Sequence, residues 1–200
     1  MSDAHRSALL AAVALVVTGC LGSGTTRSPQ LFVLSATADP PVLVPLDRGL
    51  RLGIGPVALP ERLNRPQIVT RVGENEVLLS EFSQWAEPLE DNFAGVLTEN
   101  LSRLIPTDRV VVYPWPKRTK IDLKIEVEVI RFAGQPGGNV ALAARWRLTL
   151  GNGAEVLPLR LSRYEEPIGA SSTEALVAAM SRSLGALSRD IASAIASNAD

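Results

Sequence analysis

The sequence is poor in the two side chains that most often perform nucleophilic catalysis and bind transition metals. Its 200 residues include one histidine, His5, and one cysteine, Cys20. Ser-His-Asp and Cys-His catalytic machinery requires such residues, and most zinc and iron sites use several of them. An enzymatic function would therefore rest on carboxylates, lysines or tyrosines alone. We expect a protein that is not an enzyme and that holds no metal or other cofactor.

A strong charge of either sign is also missing. The chain has 20 Lys and Arg residues against 21 Asp and Glu residues, which gives a formal net charge of −1 at pH 7. A nucleic-acid-binding domain would show a basic patch or stripe, so nucleic acid is not an expected partner. The apolar run Ser7–Val17 is too short to cross the hydrocarbon core of a bilayer, which needs about 20 residues.

This apolar run instead fits a secretory signal peptide. It follows a start that carries His5 and Arg6, and it ends in the small residues that precede Cys20. Val-Thr-Gly-Cys resembles the bacterial lipobox, in which the thiol receives a diacylglyceryl group, the chain is cut before the cysteine and the new amino group is acylated. The alternative is an ordinary signal peptide with a chance cysteine. We predict that residues 1–19 are a signal peptide and that Cys20 is the lipidation site.

The segment after the cysteine suits a membrane-bound protein. Residues 20–30 are predicted to be the lipidated cysteine and a flexible tether, because Gly22–Gln30 is small, polar and glycine-containing. Several acyl chains hold a protein stably at a membrane, whereas one chain holds it marginally. Leu21 stands where many Gram-negative lipoproteins carry the aspartate that retains them at the inner membrane. That resemblance implies the periplasmic face of the outer membrane.

Residues 31–200 are predicted to form a single α+β domain. Strands are indicated by short apolar or alternating runs between turn residues. These are Leu31–Ser35, Leu50–Ile54, Gln67–Val72, Val77–Phe82, Arg109–Tyr113, Ile121–Val129, Val140–Leu150 and Leu157–Leu161. The third and fourth runs are predicted to form a hairpin. Acids on the sixth run and arginines on the seventh allow cross-strand ion pairs.

Two amphipathic helices complete the predicted domain. The first begins at Pro88 and ends before Pro106, and the second begins at a capping box formed by Ser171 and Glu174. We therefore predict a two-layer α+β sandwich, a mainly antiparallel sheet with both helices on one face. The expected core includes Phe93, Leu97, Leu101, Ile125, Val127, Trp146, Leu184 and Ile191.

The second helix also carries a face of small residues, among them Ser183, Ala186 and Ala194. Two interpretations are open. The face could pack closely against another copy or a partner, or alanine and serine could merely raise helix propensity on an exposed side.

Several motifs occur together in one order along the chain. They are RPQIVTR at Arg65–Arg71, WAEPL at Trp85–Leu89, LTENLS at Leu97–Ser102 and VVVYPW at Val110–Trp115, all after the lipobox. Together they resemble the PqiC-type outer-membrane lipoproteins, also called the ABC-type transport auxiliary lipoprotein family. The resemblance covers nearly the whole chain after Cys20. It implies a partner with MCE (mammalian-cell-entry) domains, a tunnel that spans the periplasm and carries phospholipid between the membranes.

The resemblance favours a membrane-anchored, non-catalytic docking subunit of an intermembrane lipid-transport system that supports outer-membrane integrity. A homo-oligomeric array on the membrane would strengthen such docking through avidity. The alternative is a pilotin-like or accessory lipoprotein for envelope assembly or secretion.

Five residues of the motif region are candidate partner contacts: Arg65, Gln67, Arg71, Trp85 and Glu87. The alternative is a structural role, in which an arginine pairs with Glu87 or caps a loop and Trp85 fills the junction between strand and helix. Acidic residues at the start of a helix are stabilised by its dipole, so Glu87 does not indicate acid–base chemistry.

Overall fold

A computed structural model describes residues 28–38, 49–73, 75–105, 107, 109–116 and 118–198. The predicted signal peptide, Cys20 and most of the tether lie outside the described residues. The strands are β1 (Gln30–Phe32), β2 (Leu52–Ala58), β3 (Gln67–Arg71), β4 (Val77–Trp85), β5 (Val110–Val112), β6 (Leu123–Gly134), β7 (Asn139–Leu150) and β8 (Glu155–Pro167). The helices are α1 (Leu89–Leu104) and α2 (Thr173–Ser197), and a short 3-10 helix spans Glu61–Leu63.

The larger sheet has five strands in the order β5-β2-β6-β7-β8. The long strands β6, β7 and β8 form the expected antiparallel meander. Strand β2 pairs in parallel with both β5 and β6, which the alternation of side chains along a single strand does not reveal. The two-layer α+β prediction is confirmed, and its sheet is mixed because these parallel pairings extend the antiparallel meander.

Both helices lie on one layer. Helix α1 packs on β2 and β5, α2 packs on β6, β7 and β8, and the two helices contact each other. All eight residues of the expected core are buried. The predicted cross-strand ion pairs form on the opposite, solvated face, where Arg147 pairs with Glu126 and Arg145 Nη1 lies 3.4 Å from Glu128 Oε2. Exposed pairs of this kind contribute little stability.

Helix α2 differs from the sequence prediction in two respects. Its N-cap is Ser172, whose Oγ accepts a hydrogen bond from Ala175 N at 3.1 Å, so the helix begins one residue later than the Ser171 capping box predicts. Its small residues Ser183 and Ala194 are buried within the fold. Neither interpretation of the small-residue face therefore holds for these two residues, because α2 is enclosed by the sheet, by α1 and by the segment that follows β1.

That segment, Leu34–Ala38, is clasped by polar side chains of both helices. Leu34 N donates to Asn92 Oδ1 at 2.7 Å, and Ser35 N donates to Ser181 Oγ at 3.1 Å. The amide groups of Thr37 and Ala38 both donate to Asn100 Oδ1 at 2.9 Å. Backbone amides of a buried segment need such acceptors, so the clasp fixes the start of the domain onto its helices.

Replacing Asn100 with alanine is expected to weaken this clasp. The substitution removes the shared acceptor of two amides, and an unsatisfied buried donor costs about 1–3 kcal/mol. Urea denaturation of both proteins would measure the difference in the free energy of unfolding. The matched control is Thr98→Ala, which removes only a hydrogen bond to Ala94 O within α1. Equal unfolding midpoints for Asn100→Ala and the wild type would contradict the role of the clasp.

A second polar network joins β7, β8 and α2. Trp146 Nε1 donates to Ser162 Oγ at 3.1 Å, Ser162 Oγ donates to Asp190 Oδ2 at 3.2 Å, and the Tyr164 hydroxyl donates to the same carboxylate. Burial, and then the hydrogen bond to Asp190, raise the pKa of Tyr164 well above its usual range. The network therefore positions α2 across the sheet with Tyr164 protonated.

Candidate partner-contact site

The candidate contact residues belong to a second sheet of three strands, in the order β1-β4-β3. Strand β1 runs parallel to β4, with Phe32 opposite Trp85, and β3 runs antiparallel to β4, with Gln67 opposite Gln84. Strand β4 leads directly into α1 through Pro88, the N-cap residue. This junction lies where the two sheets and α1 meet.

Three of the five candidates lie together at the junction. Arg65, Trp85 and Glu87 line one cavity of about 310 Å³. Trp85 is buried, and its amide donates to Pro66 O at 2.7 Å. Trp85 therefore fills the junction between strand and helix, as the structural interpretation expects. The sequence analysis missed the other wall residues, although they directly flank the candidates: Asn64, Pro66, Ala86 and Pro88.

Arg65 has a buried donor that the described residues leave unsatisfied. Its Nε is buried and finds no hydrogen-bond acceptor among the residues that the structure describes. Within this same part of the chain no ion pair joins Arg65 to Glu87. Glu87 Oε1 instead accepts from Asn92 Nδ2 at 2.6 Å, which orients the Asn92 amide toward Leu34. The predicted pairing of an arginine with Glu87 is therefore not what these residues form.

Gln67 lies on a different face of the same sheet. It stands opposite Gln84, and the side chains of directly opposed residues share a face. Because side chains alternate along a strand, Gln84 and Trp85 point to opposite faces. Gln67 therefore points away from the cavity that Trp85 lines.

Arg71 lies at the far end of β3. It is six residues from Arg65, a separation of about 20 Å along an extended strand. Its Nε and Nη2 donate to Gly73 O at 3.3 and 3.0 Å. Arg71 lines another cavity, of about 400 Å³, with Gly73, Arg131 and Gly134 among its walls. The five candidates therefore form no continuous surface, and only Arg65, Trp85 and Glu87 share a site.

The chemistry of the shared site suits recognition of an acceptor group. Arginine and tryptophan dominate the binding energy of protein interfaces when they lie in desolvated pockets. A partner's carbonyl or carboxylate oxygen would satisfy Arg65 Nε, and a hydrogen bond to a charged group is worth more than a neutral one. The site therefore combines an apolar wall, Trp85, with one directional donor.

Two further types of feature are absent from the described part of the chain. Its His, Cys, Asp and Glu side chains form no group of three or more that could hold a metal ion. None of its helices has both the length and the apolar character needed to cross a bilayer.

The fold is similar to two solved structures of low sequence identity. The crystal structure of an uncharacterized protein has a TM-score of 0.66 and 22% identity, and the match covers 84% of this chain and 99% of that one. The crystal structure of protein XCC0632 from Xanthomonas campestris has a TM-score of 0.71 and 16% identity, and the match covers 84% of this chain and 96% of that one. At such identities the likeness concerns the fold alone. No curated protein matches the sequence.

A family model gives the more specific result. The model of the ABC-type transport auxiliary lipoprotein component matches residues 32–192. This range runs from β1 into the last turns of α2, so it includes both sheets, the clasp and the cavity beside Arg65. The resemblance inferred from the motifs is confirmed. The chain belongs to the family of ABC-type transport auxiliary lipoprotein components.

Proposed function

We propose that this protein is a non-catalytic docking subunit of an intermembrane lipid-transport system, and that its partner is a tunnel protein with MCE domains. The observation that carries the proposal is the family match over residues 32–192. An auxiliary component of a transporter acts by binding. It therefore needs a recognition surface rather than catalytic groups.

The cavity beside Arg65 supports this proposal as the contact point. A buried donor without an acceptor is costly in the free protein, and a partner that supplies the acceptor removes that cost. Trp85 is already held by the backbone of Pro66, so little side-chain freedom is lost on binding. Preorganisation of this kind favours affinity.

Membrane attachment supplies the second half of the proposed mechanism. The lipidated Cys20 would hold the domain at the periplasmic face of the outer membrane, where it would receive the end of the tunnel and support membrane integrity. A tether of about nine residues has an r.m.s. span of roughly 15–18 Å. The domain would therefore dock close to the membrane surface.

Several copies would bind one tunnel more tightly than a single copy, because neighbouring contacts raise the effective concentration. We include homo-oligomerisation in the proposal for this reason. Strand β8 offers an edge of the larger sheet, and Leu159 and Leu161 are exposed on it. Light scattering of the purified protein measures the number of copies.

The test of docking is the affinity of the protein for a purified MCE-domain partner from the same organism. Arg65→Ala is expected to weaken binding about 10- to 30-fold, the usual effect of losing an interface hot spot. Gln67→Ala and Arg71→Ala should bind nearly as the wild type does, because both side chains lie outside the cavity. Arg145→Ala, on the solvated sheet face, is the matched control for loss of one positive charge.

Two results would contradict the proposal. Absence of binding by the wild type at micromolar concentrations would remove the tunnel partner and favour the pilotin-like alternative. Equal affinities for Arg65→Ala and Arg145→Ala would place the contact elsewhere on the domain.

A further inference from the structure

The hairpin of β3 and β4 ends in an unusually apolar tip. The register between the strands shifts between Gln67 and Val69, and past this irregularity the hairpin continues to Val72 and Val77. We define the apolar tip as Val72, Val77, Leu78 and Leu79. Their side chains are between 41% and 50% exposed. Hairpin tips are normally polar turns, so the composition of this one requires an explanation.

The apolar side chains occupy both faces of the hairpin. Val77 lies opposite Arg71, Leu78 opposite Thr70 and Leu79 opposite Val69. Because side chains alternate along a strand, Leu78 points to one face while Val77 and Leu79 point to the other. A strand that covers a core is apolar on one face and polar on the other. Apolar residues on both faces instead fit a surrounding that is apolar on all sides.

The direction of β1 relates this tip to the membrane anchor. Strand β1 is parallel to β4, and its first residue, Gln30, lies opposite Ser83. Strand β4 runs from the tip toward the junction with α1, so β1 enters the sheet from the end at which the tip lies. The lipid anchor is therefore connected to the domain on the side of the apolar tip.

The lengths on this side agree. Six residues separate Val77 from Ser83, a distance of about 20 Å along an extended strand. The tether between Cys20 and β1 has an r.m.s. span of roughly 15–18 Å. The tip can therefore reach the plane in which the acyl chains of Cys20 begin.

We propose that the apolar tip inserts into the lipid interface of the membrane that holds Cys20. Apolar side chains enter the boundary between headgroups and acyl chains, and each added membrane signal strengthens attachment. The tip would act as a second contact that orients the domain. The candidate contact site at Arg65 would then face away from the membrane, because it lies at the opposite end of β3.

Charge near the tip is mixed, so insertion should not depend on anionic lipid. Arg71 and Arg131 line the cavity beside the hairpin, while Glu76 and Glu81 lie next to the tip in the sequence. Attraction of the arginines to anionic headgroups is offset by the two carboxylates. Vesicles of zwitterionic phosphatidylcholine are therefore a sufficient probe.

The experiment uses the full lipidated protein reconstituted into such vesicles. Cys20 is the only natural cysteine, so Leu78→Cys introduces one free thiol for an environment-sensitive fluorophore. The expected result is a blue shift of the emission on reconstitution, quenching by nitroxide-labelled lipid and loss of quenching by aqueous iodide. The inference rests on the Cys20 part of the proposed function and is independent of the tunnel partner. Mass spectrometry of the same sample establishes lipidation separately.

The matched control is Leu150→Cys, another exposed apolar residue. Leu150 pairs with Leu123 at the start of β6, whereas Gly134 at the end of β6 lines the cavity beside Arg71. Eleven residues of extended strand place these two ends about 35 Å apart. A fluorophore at position 150 should therefore stay accessible to iodide.

Two outcomes would overturn the inference. Iodide quenching of the Leu78→Cys label that is unchanged by reconstitution would place the tip in water. A blue shift without quenching by nitroxide lipid would show that protein, such as a second copy of this chain, covers the tip instead of lipid.

Discussion

Replacing Cys20 with alanine is expected to abolish lipid attachment and to leave an uncleaved or mislocalised precursor. The thiol is the acceptor of the diacylglyceryl group in the chemistry that the Val-Thr-Gly-Cys exit predicts, and the cut before the cysteine follows that step. Because Cys20 is the only cysteine, no other side chain can replace it. The intact mass of the membrane-extracted protein measures the result. The wild type should begin at Cys20 and carry three acyl chains.

The size of this effect follows from partitioning. Each buried methylene contributes about 0.8 kcal/mol to membrane binding, so several chains make attachment effectively permanent. The apolar tip alone cannot compensate for that loss. Ser23→Ala, a change within the tether, is the control and should leave both processing and membrane retention intact. An unmodified mature terminus at any residue other than Cys20 would refute the anchor.

Replacing Leu101 with alanine is expected to cause the second large effect, a loss of stability. Leu101 is fully buried on α1 within the apolar cluster beneath the sheet. Truncating a buried leucine costs about 2–5 kcal/mol, because transfer energy is lost and a cavity remains. A typical domain has only about 5–15 kcal/mol in total. Thermal unfolding should therefore show a midpoint lower by roughly 5–20 °C.

The comparison variant is Leu159→Ala. Leu159 is 60% exposed on β8, and substitutions at such surface positions usually change stability by less than about 0.5 kcal/mol. Both variants remove the same atoms from the same residue type, so the difference between them measures burial. Equal unfolding midpoints would show that the apolar stripe of α1 contributes nothing to the core.

The sequence motifs locate only part of the candidate site. Trp85 and Glu87 are close in sequence, and their approach to Arg65 follows once β3 and β4 pair as a hairpin. Alternation along the strand then separates Gln67 from Trp85, and strand length separates Arg71 from Arg65. Exact register was needed for this distinction, because a shift of one residue moves every side chain to the other face.

The sequence by itself determined the features that depend on local order. Helical spacing identified the buried stripe of α1, alternation identified β6 and β7 with their ion pairs, and the lipobox pattern identified Cys20 as the predicted anchor. Tertiary structure alone decided the parallel pairings of β1 and β2, the burial of the small residues of α2 beneath the clasp, and the position of the apolar tip on the anchor side. These features join segments far apart in the chain, and periodicity records which face of an element is apolar but not which distant segment covers it.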